Sequence, residues 1–153
     1  MTSLLVDTSV LVKWFHSAGE AELREAHALR DAHIADEIDA SISDLALDEV
    51  GNVLVRASGW SGDEVADQLD DLLVIFGTPL LSSPEWLRDA ADLAASHRLT
   101  FYDAAWAAAA RGLGMPLVSA DRQLLAAGLA ETVTATVRRL GLTVPDHLTD
   151  EIP

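Results

Sequence analysis

The sequence contains no cysteine, and this absence removes several classes of function at once. Disulfides, thiolate zinc sites, iron–sulfur clusters and a cysteine nucleophile are all excluded. Long hydrophobic runs are also missing. The longest apolar stretch, Ala104 to Ala110, is mostly alanine and is far shorter than the ~20 residues that a membrane span needs. We therefore expect no membrane-spanning segment.

Positive charge is scarce. The chain has 10 Lys and Arg residues against 25 Asp and Glu residues, and its formal net charge is -15 at pH 7. A chain of this charge is not expected to bind nucleic acid or an anionic membrane over a broad surface. Any contact with RNA or DNA must therefore be local.

The chain does contain enough apolar material for a folded core. It has 153 residues, of which 50% are hydrophobic and 23% are charged, a composition typical of globular proteins. We predict one domain over residues 1–145 and a polar C-terminal tail over 146–153. The first four residues lack the basic and apolar regions of a secretion signal, so we predict a cytoplasmic protein.

Short apolar runs alternate with helical patterns along the chain. Leu4 to Val6 is a candidate buried strand, and the N-cap residue types that follow predict a helix from Val10 to Phe15. Strands are further predicted at 40–42, 116–119 and 132–137, with an extended segment at 78–82. Helices are predicted over 20–36, 45–56, 61–74, 84–97 and 101–111, and a short one begins at Asp121. Asp44 is the predicted cap of the second of these helices, Ser61 with Glu64 gives the third a capping box, and Pro84 after Ser83 opens the fourth. Gly112 and Gly114 are predicted to end the fifth. The alternation implies an α/β fold with a mainly parallel central sheet.

Two acidic residues, Asp7 and Asp121, directly follow predicted strands. In open parallel sheets, ligands bind outside the carboxyl ends of the strands, so both positions are suited to a functional site. An aspartate between a strand and a helix is also a favoured N-cap, and for either residue alone capping is the stronger interpretation.

Two further acids lie on predicted helices. At about 100° per residue, Glu49 falls on the edge of the apolar stripe of its helix, whereas Asp48 points away into solvent. Asn52, one turn later, could orient Glu49, although an ordinary carboxylate at the boundary fits equally well. Asp103 follows the predicted cap Thr100 by three residues, which suits a capping box. On so alanine-rich a helix, however, its carboxylate also needs a partner.

Carboxylates that converge repel one another, so such a cluster makes physical sense chiefly as a cage for a hard divalent cation. Mg2+ or Mn2+ is the natural occupant. A metal site of this kind can support phosphodiester hydrolysis, because the ion activates a water and stabilises the charge that develops on phosphate oxygens. Spacing along the chain does not by itself show that the four acids converge.

Four segments of the sequence resemble motifs of the PIN-domain proteins, especially VapC-type toxins. Residues 5–15 (LVDTSVLVKWF) resemble the opening of these proteins, and residues 45–54 (LALDEVGNVL) resemble their helical segment with a central Glu-Val-x-Asn. Residues 99–106 (LTFYDAAW) and 117–124 (LVSADRQL) resemble their C-terminal block. The resemblance implies a three-layer α/β/α fold whose mainly parallel sheet has about five strands.

The resemblance also implies an activity and a site. The acidic site of the family corresponds to Asp7, Glu49, Asp103 and Asp121, which would hold Mg2+ or Mn2+ directly or through water and activate the attacking water of an endoribonuclease. Three hydroxyl residues match small polar positions beside that site, where they would tune a carboxylate, contact phosphate or simply cap helices: Thr8, Ser9 and Ser119.

Partners are implied in the same way. The family predicts a VapB-type antitoxin, whose C-terminal segment lies over the toxin groove, and a homodimer. Lys13 and Arg122 are candidate contacts for RNA phosphate or for a carboxylate of the antitoxin, although each can equally be a solubilising charge. Trp14, Phe15 and Trp106 are candidates for base stacking or partner contact, and core packing is favoured for Trp106.

Two alternatives stay open at this point. The fold could serve as an RNA-binding module that has lost cleavage, and a metal titration would separate this case from an active nuclease. The nuclease could also process RNA without a toxin role, and purification with or without a small co-expressed partner would separate these two.

Overall fold

The computed structural model describes residues 1–16, 18–57 and 59–148. In these ranges the strands are β1 (Thr2–Val6), β2 (Ile38–Ser41) and β3 (Leu117–Val118). The helices are α1 (Thr8–Leu11), continued by a 3-10 helix (Val12–Phe15), α2 (Leu23–Ile34), α3 (Asp44–Arg56), α4 (Gly62–Phe76), α5 (Pro84–His97), α6 (Phe101–Leu113), α7 (Arg122–Ala126) and α8 (Val133–Leu140). Of the predicted polar tail, residues 149–153 lie outside the described residues. None of the described helices combines the length and the apolar character needed to cross a membrane.

The strands form a parallel sheet in the order β2-β1-β3. Leu4 on β1 lies opposite Ala40 on β2, and Leu5 lies opposite Leu117 on β3. Two isolated parallel bridges, Ser43 with Leu80 and Val118 with Glu131, add one more extended position beyond each outer strand. The expected α/β fold with a parallel sheet is therefore confirmed. Of the five expected strands, three form in the described residues, and the two outer positions are single bridges.

The core lies on both faces of the sheet. Leu4, Leu5 and Val6 are at most 1% exposed. Successive side chains of a strand point to opposite faces, so both faces of β1 must be covered. Helix α2 packs against β2 and α8, whereas α6 packs against β1, β3 and α5. The parallel pairing of β1 with β3 places their carboxyl ends at one edge of the sheet, where the acids that follow them lie.

One predicted strand is wrong. The β-branched residues from Thr132 to Val137 form the start of helix α8, which Thr132 caps by accepting a hydrogen bond from the amide of Ala135 at 3.0 Å. Val133, Thr136 and Val137 are buried, and their spacing of three and four residues places them on one helix face, which packs against α2. Packing against α2 outweighs the strand preference of these residue types, because that preference depends on context.

Several boundaries shift by a few residues. Strand β2 begins two residues before the predicted start, and helix α3 has Ser43 rather than Asp44 as its N-cap. The helix expected from Val10 to Phe15 begins at Thr8 and tightens into the 3-10 form after Leu11. The helix predicted over 20–36 is shorter, spanning 23–34.

Gly112 was expected to help end helix α6, but it lies inside the helix, which Gly114 ends in the left-handed conformation (φ 65°). A Cβ at Gly112 would lie 2.2 Å from Nε1 of Trp86 on helix α5. The missing side chain therefore allows the Trp86 indole to pack directly on the backbone of α6.

The two helical glycines Gly112 and Gly51 should respond to alanine in opposite directions. We expect Gly112→Ala to lower the free energy of unfolding by about 1–2 kcal/mol, since overpacking outweighs the gain in helix propensity. A Cβ at Gly51 in helix α3 would lie 3.5 Å from Leu69, an ordinary contact, so Gly51→Ala should raise the free energy of unfolding by about 0.5–1 kcal/mol. Urea denaturation of both variants tests this, and a shift of the same sign in both would contradict it.

Candidate active site

Asp7 lies at the carboxyl end of β1, where it is the N-cap of helix α1. Its Oδ1 accepts a hydrogen bond from the amide of Ser9 at 3.0 Å, and the residue is only 3% exposed. The residue is therefore both a helix cap, as the more conservative interpretation held, and a buried carboxylate at the edge of the sheet where ligands of such folds bind.

Two serines hold the carboxylate of Asp7 from both sides. Ser9 Oγ donates to Oδ1, and the fully buried Ser119 Oγ donates to Oδ2. The same two hydroxyls accept hydrogen bonds from the loop after β3: Ser9 from the amide of Ala120 at 2.8 Å and Ser119 from the amide of Asp121 at 2.9 Å. Neither serine is a helix cap. Together they fix the orientation of Asp7 and join two segments that are far apart in the sequence.

Asp121 is the N-cap of helix α7. Its Oδ1 accepts hydrogen bonds from the amides of Gln123 at 2.9 Å and Leu124 at 3.0 Å. Among the described residues, its Oδ2 takes no hydrogen bond. One oxygen is therefore committed to the helix, and the other is left for a ligand.

All four predicted acids line one cleft of about 220 Å³. Asp7 comes from the end of β1, Glu49 from helix α3, Asp103 from helix α6 and Asp121 from the loop after β3. The remaining lining residues surround these carboxylates: Thr8, Ser9, Val12, Val53 and Trp106. The tertiary structure thus brings together side chains from four separate segments.

The capping interpretation of Asp103 is only half correct. Thr100 caps helix α6 by accepting a hydrogen bond from the amide of Asp103 at 3.1 Å. Among the described residues, the carboxylate of Asp103 does not bond back to the amide of Thr100, so the capping box stays incomplete. The side chain of Asp103 is thus available to the cleft.

Burial and mutual repulsion raise the pKa values of three of these acids. Burial raises the pKa of Asp7 to about 6 although the Ser119 and Ser9 hydrogen bonds oppose the change, and the charge of Asp121 adds to it. Burial also raises the pKa of Glu49, with a smaller contribution from the charge of Asp103. The pKa of Asp103 is raised by burial and then by the charge of Asp121. These carboxylates are thus close enough to interact electrostatically.

Glu49 carries a buried oxygen with no partner. Thr8 and Trp106 lie close enough to oppose the rise in the Glu49 pKa, yet among the described residues neither Glu49 Oε1 nor Thr8 Oγ1 makes a hydrogen bond of proper geometry. A buried acceptor without a partner is costly. A cation, or a water bound to one, would remove that cost.

The donor set fits a hydrated Mg2+ or Mn2+ ion. All of the converging donors are oxygens, the ligands that these hard cations prefer. In the described ranges, no three acidic or histidine side chains are close enough together to hold an ion between them. Mg2+ commonly retains several waters and uses one or two carboxylates, so an open arrangement of carboxylates suits it better than a closed cage would.

Three other predicted residues are placed differently from the acids. Asn52 is exposed and is not part of the cleft lining. Lys13 is 7% exposed, and its Nζ donates to the carbonyl of Ala21 at 2.7 Å and to Glu20 at 3.5 Å. The Lys13 ammonium therefore holds the chain before helix α2 and is not presented to the cleft. Arg122 is exposed directly after Asp121.

The aromatic candidates are mostly core residues. Trp14 is 4% exposed, donates to the carbonyl of Ala26 at 3.0 Å and stacks on Phe76. Phe15 packs edge-on against Trp60. These contacts leave neither Trp14 nor Phe15 as an open stacking surface. Trp106 is also 4% exposed, as core packing predicts, although it forms part of the cleft wall.

Sequence reasoning overlooked the two valines of the cleft, Val12 and Val53. A signal for Val53 was present, because it follows Glu49 by four residues and so lies on the same helix face. No comparable signal identified Val12.

A sequence model of the PIN domain matches residues 4–129. The chain belongs to the PIN-domain family. Within the family, the chain is similar to "Ribonuclease VapC3" of Pyrobaculum aerophilum, with 35% identity over 125 residues that cover 79% of this chain and 91% of that protein. The crystal structure of PAE2754 from Pyrobaculum aerophilum has the same PIN fold, with a TM-score of 0.66, 30% identity, and coverage of 92% of this chain and 97% of that one.

Two more distant solved structures share the fold of this PIN domain. One is VapBC2 from Rickettsia felis bound to a DNA fragment from their promoter, with a TM-score of 0.63, 12% identity, and coverage of 86% of this chain and 97% of that one. The other is FitAcB from Neisseria gonorrhoeae, with a TM-score of 0.61, 17% identity, and coverage of 84% and 95%. At these identities the likeness concerns the fold alone.

Proposed function

We propose that this PIN domain is a metal-dependent endoribonuclease and the toxin of a VapBC-type toxin–antitoxin module. The observation that carries the proposal is the meeting of Asp7, Glu49, Asp103 and Asp121 in one cleft, where Glu49 Oε1 is buried without a partner. The 35% identity with a protein named as a ribonuclease supports the activity. The proposed substrate is RNA, and the reaction is hydrolysis of a phosphodiester bond.

The same four acids would hold Mg2+ or Mn2+, directly or through water. When bound, such an ion lowers the pKa of water and stabilises charge on the phosphoryl and leaving oxygens. The protein contributes the orientation of the ligands. Ser9 and Ser119 fix both oxygens of Asp7, and the hydrogen bonds to Asp121 engage its Oδ1, so that its Oδ2 could bind the ion.

Glu49 is suited to accept a proton from the attacking water. Its Oε1 is an acceptor without a hydrogen-bond partner among the described residues, and burial raises its pKa. A general base is most effective when its pKa approaches the working pH. Val53 and Trp106 supply apolar walls beside it.

The proposed partners are a VapB-type antitoxin and a second copy of the chain. The fold shared with VapBC2 of Rickettsia felis supports the antitoxin, and the similarity to VapC3 supports the toxin assignment. We place the protein in the cytoplasm, where RNA is found and where a chain without cysteine needs no oxidising conditions.

We also propose that residues 1–145 form a single domain. Helix α8 packs against α2, and Arg24 on α2 donates from Nε to the carbonyl of Pro145 at 2.6 Å. The chain around Pro145 is therefore attached to the same core as helix α2. Asp146 lies 3.7 Å from the Arg24 guanidinium, an exposed ion pair that adds little stability.

The proposal is tested by cleavage of total cellular RNA with purified, partner-free protein in Mg2+, in Mn2+ and in EDTA, beside an Asp7→Asn control. We expect discrete fragments that need the metal and are absent with the control. If folded protein cleaves nothing with either metal, the chain is a binding module and the enzymatic proposal fails. If the chain cleaves RNA but purifies from its host without a small inhibitory protein, the toxin role fails and the nuclease stands.

A further inference from the structure

Tyr102 and Phe101 are the exposed aromatic residues of this chain. Tyr102, the only tyrosine in the sequence, is 63% exposed, and Phe101 is 46% exposed. The other aromatic side chains are buried or half-buried. Among the described residues, neither of the two packs against another ring or makes a side-chain hydrogen bond. Both lie in the first turn of helix α6, next to the acidic residue Asp103.

The two rings point in different directions. At about 100° per residue, Tyr102 is about 40° around helix α6 from the cleft-wall residue Trp106, and Asp103 is about 60° from Trp106 on its other side. Phe101 is about 160° from Asp103 by the same count. Helix side chains also lean toward the N-terminus. Tyr102 therefore lies beside Asp103 in the first turn, on the side of helix α6 that carries Trp106, and Phe101 lies on the far side.

The charge of the protein makes an uncharged contact with RNA beside Asp103 useful. With a net charge of -15, the chain repels phosphates over most of its surface, and the cleft itself is lined by four carboxylates. Lys13, the only lysine in the sequence, is buried and bonded. Stacking of a base on an aromatic ring needs no positive charge and tolerates any base.

We propose that the ring of Tyr102 stacks on an unpaired base next to the phosphodiester that is cleaved. The inference rests on the proposed function and adds a residue that positions the substrate by holding an unpaired base. A base in a double helix already stacks on its neighbours and cannot offer a free face to the ring. Tyr102 thus secures the base while the acids bind the metal that acts on the adjacent phosphate.

Cleavage kinetics with a labelled single-stranded RNA of mixed sequence test the proposal. We expect Tyr102→Ala to raise KM by about tenfold, the loss expected from one base stack, with kcat nearly unchanged. Tyr102→Phe and Tyr102→Trp should restore the KM, whereas Tyr102→Leu, which is apolar but has no ring face, should not. Phe101→Ala is the matched control, because it removes an exposed ring from the same helical turn, and its KM should equal that of the wild type.

The dependence on salt adds a second criterion. Contacts to phosphate weaken steeply as the salt concentration rises, whereas stacking does not. The ratio of the KM values of Tyr102→Ala and wild type should therefore stay constant across a KCl series. A ratio that falls toward one would identify Tyr102 as a partner of phosphate and would overturn the proposal.

A spectroscopic test is available because the chain has a single tyrosine. Biosynthetic incorporation of meta-fluorotyrosine labels position 102 alone. In an Asp7→Asn background, which should leave RNA intact, titration with the same RNA and Mg2+ should move the fluorine resonance, because the ring current of a stacked base acts on the label. The same RNA annealed to its complement should not move it.

Three results would overturn the proposal, and they are distinguishable. Wild-type protein that neither binds nor cleaves RNA would remove the proposed function and this inference together. Cleavage with equal KM values for Tyr102→Ala and Phe101→Ala would remove the inference alone. A Tyr102→Ala variant that cleaves normally but loses binding to a co-purifying inhibitor protein would assign the ring to that protein.

Discussion

Asp7→Asn is expected to abolish RNA cleavage and, at the same time, to stabilise the metal-free protein at neutral pH. Burial raises the pKa of Asp7 from 3.8 to about 6, so ionising this side chain in the folded protein costs about 3 kcal/mol more than in the unfolded chain. Asparagine removes this cost. The substitution also replaces one carboxylate oxygen with an amide donor that faces a serine hydroxyl. The lost hydrogen bond reduces the gain in stability by about 1 kcal/mol.

The pH range of this effect follows from the raised pKa. A group with a raised pKa in the folded state stabilises the fold when protonated, below about pH 4, and that stability is lost as the pH rises through about 6. The difference in stability between Asp7→Asn and wild type should therefore grow between about pH 4 and pH 6 and be constant above. At neutral pH we expect a net gain of about 1–2 kcal/mol, or a few degrees in Tm.

Thermal denaturation in EDTA across this pH range measures the effect. Asp48→Asn is the matched control: Asp48 is exposed on helix α3, so the same change of charge there should leave the pH dependence of Tm unaltered. If Asp7→Asn is less stable than wild type at neutral pH, the main role of Asp7 is to accept the two serine hydrogen bonds and cap α1. A Tm difference that does not vary with pH would also contradict the prediction.

Glu49→Gln is the second variant for which we expect a large effect. Cleavage should fall by at least about 10³-fold, because a ligand or base at the reacting centre contributes several kcal/mol and each 1.4 kcal/mol is a factor of ten. Glu49 takes part in no helix cap, and among the described residues its Oε1 has no hydrogen-bond partner. Glu49→Gln should therefore remove the metal ligand or base without removing a hydrogen bond that stabilises the fold.

Metal binding separates loss of function from loss of fold in Glu49→Gln. Mg2+ or Mn2+ that binds only the folded state raises Tm, by an amount that grows with concentration relative to Kd. Wild type and Asp48→Asn should show this rise, and Glu49→Gln should show little of it while folding normally in EDTA. Cleavage close to the wild-type rate in Glu49→Gln would remove Glu49 from the site.

Local sequence alone was enough to locate much of the fold. The apolar run before Asp7 predicted β1 and the helix that follows, and Ser61 with Glu64 predicted the capping box that opens α4. Pro84 after Ser83 predicted the start of α5. These signals are reliable because a cap or a proline acts on the backbone within three or four residues, so the free energy that favours the structure is local.

Other features depended on residues far away in the chain. The segment from Thr132 to Val137 became a helix because its apolar face packs against α2, and Lys13 became a buried anchor because the chain before α2 offers it a carbonyl. The hydrogen bonds from Ser119 to Asp7 and from the amide of Ala120 to Ser9 join residues more than a hundred positions apart. Sequence, with the family resemblance, named the four acids, but their meeting in one cleft was decided by long-range packing, whose energy no local pattern contains.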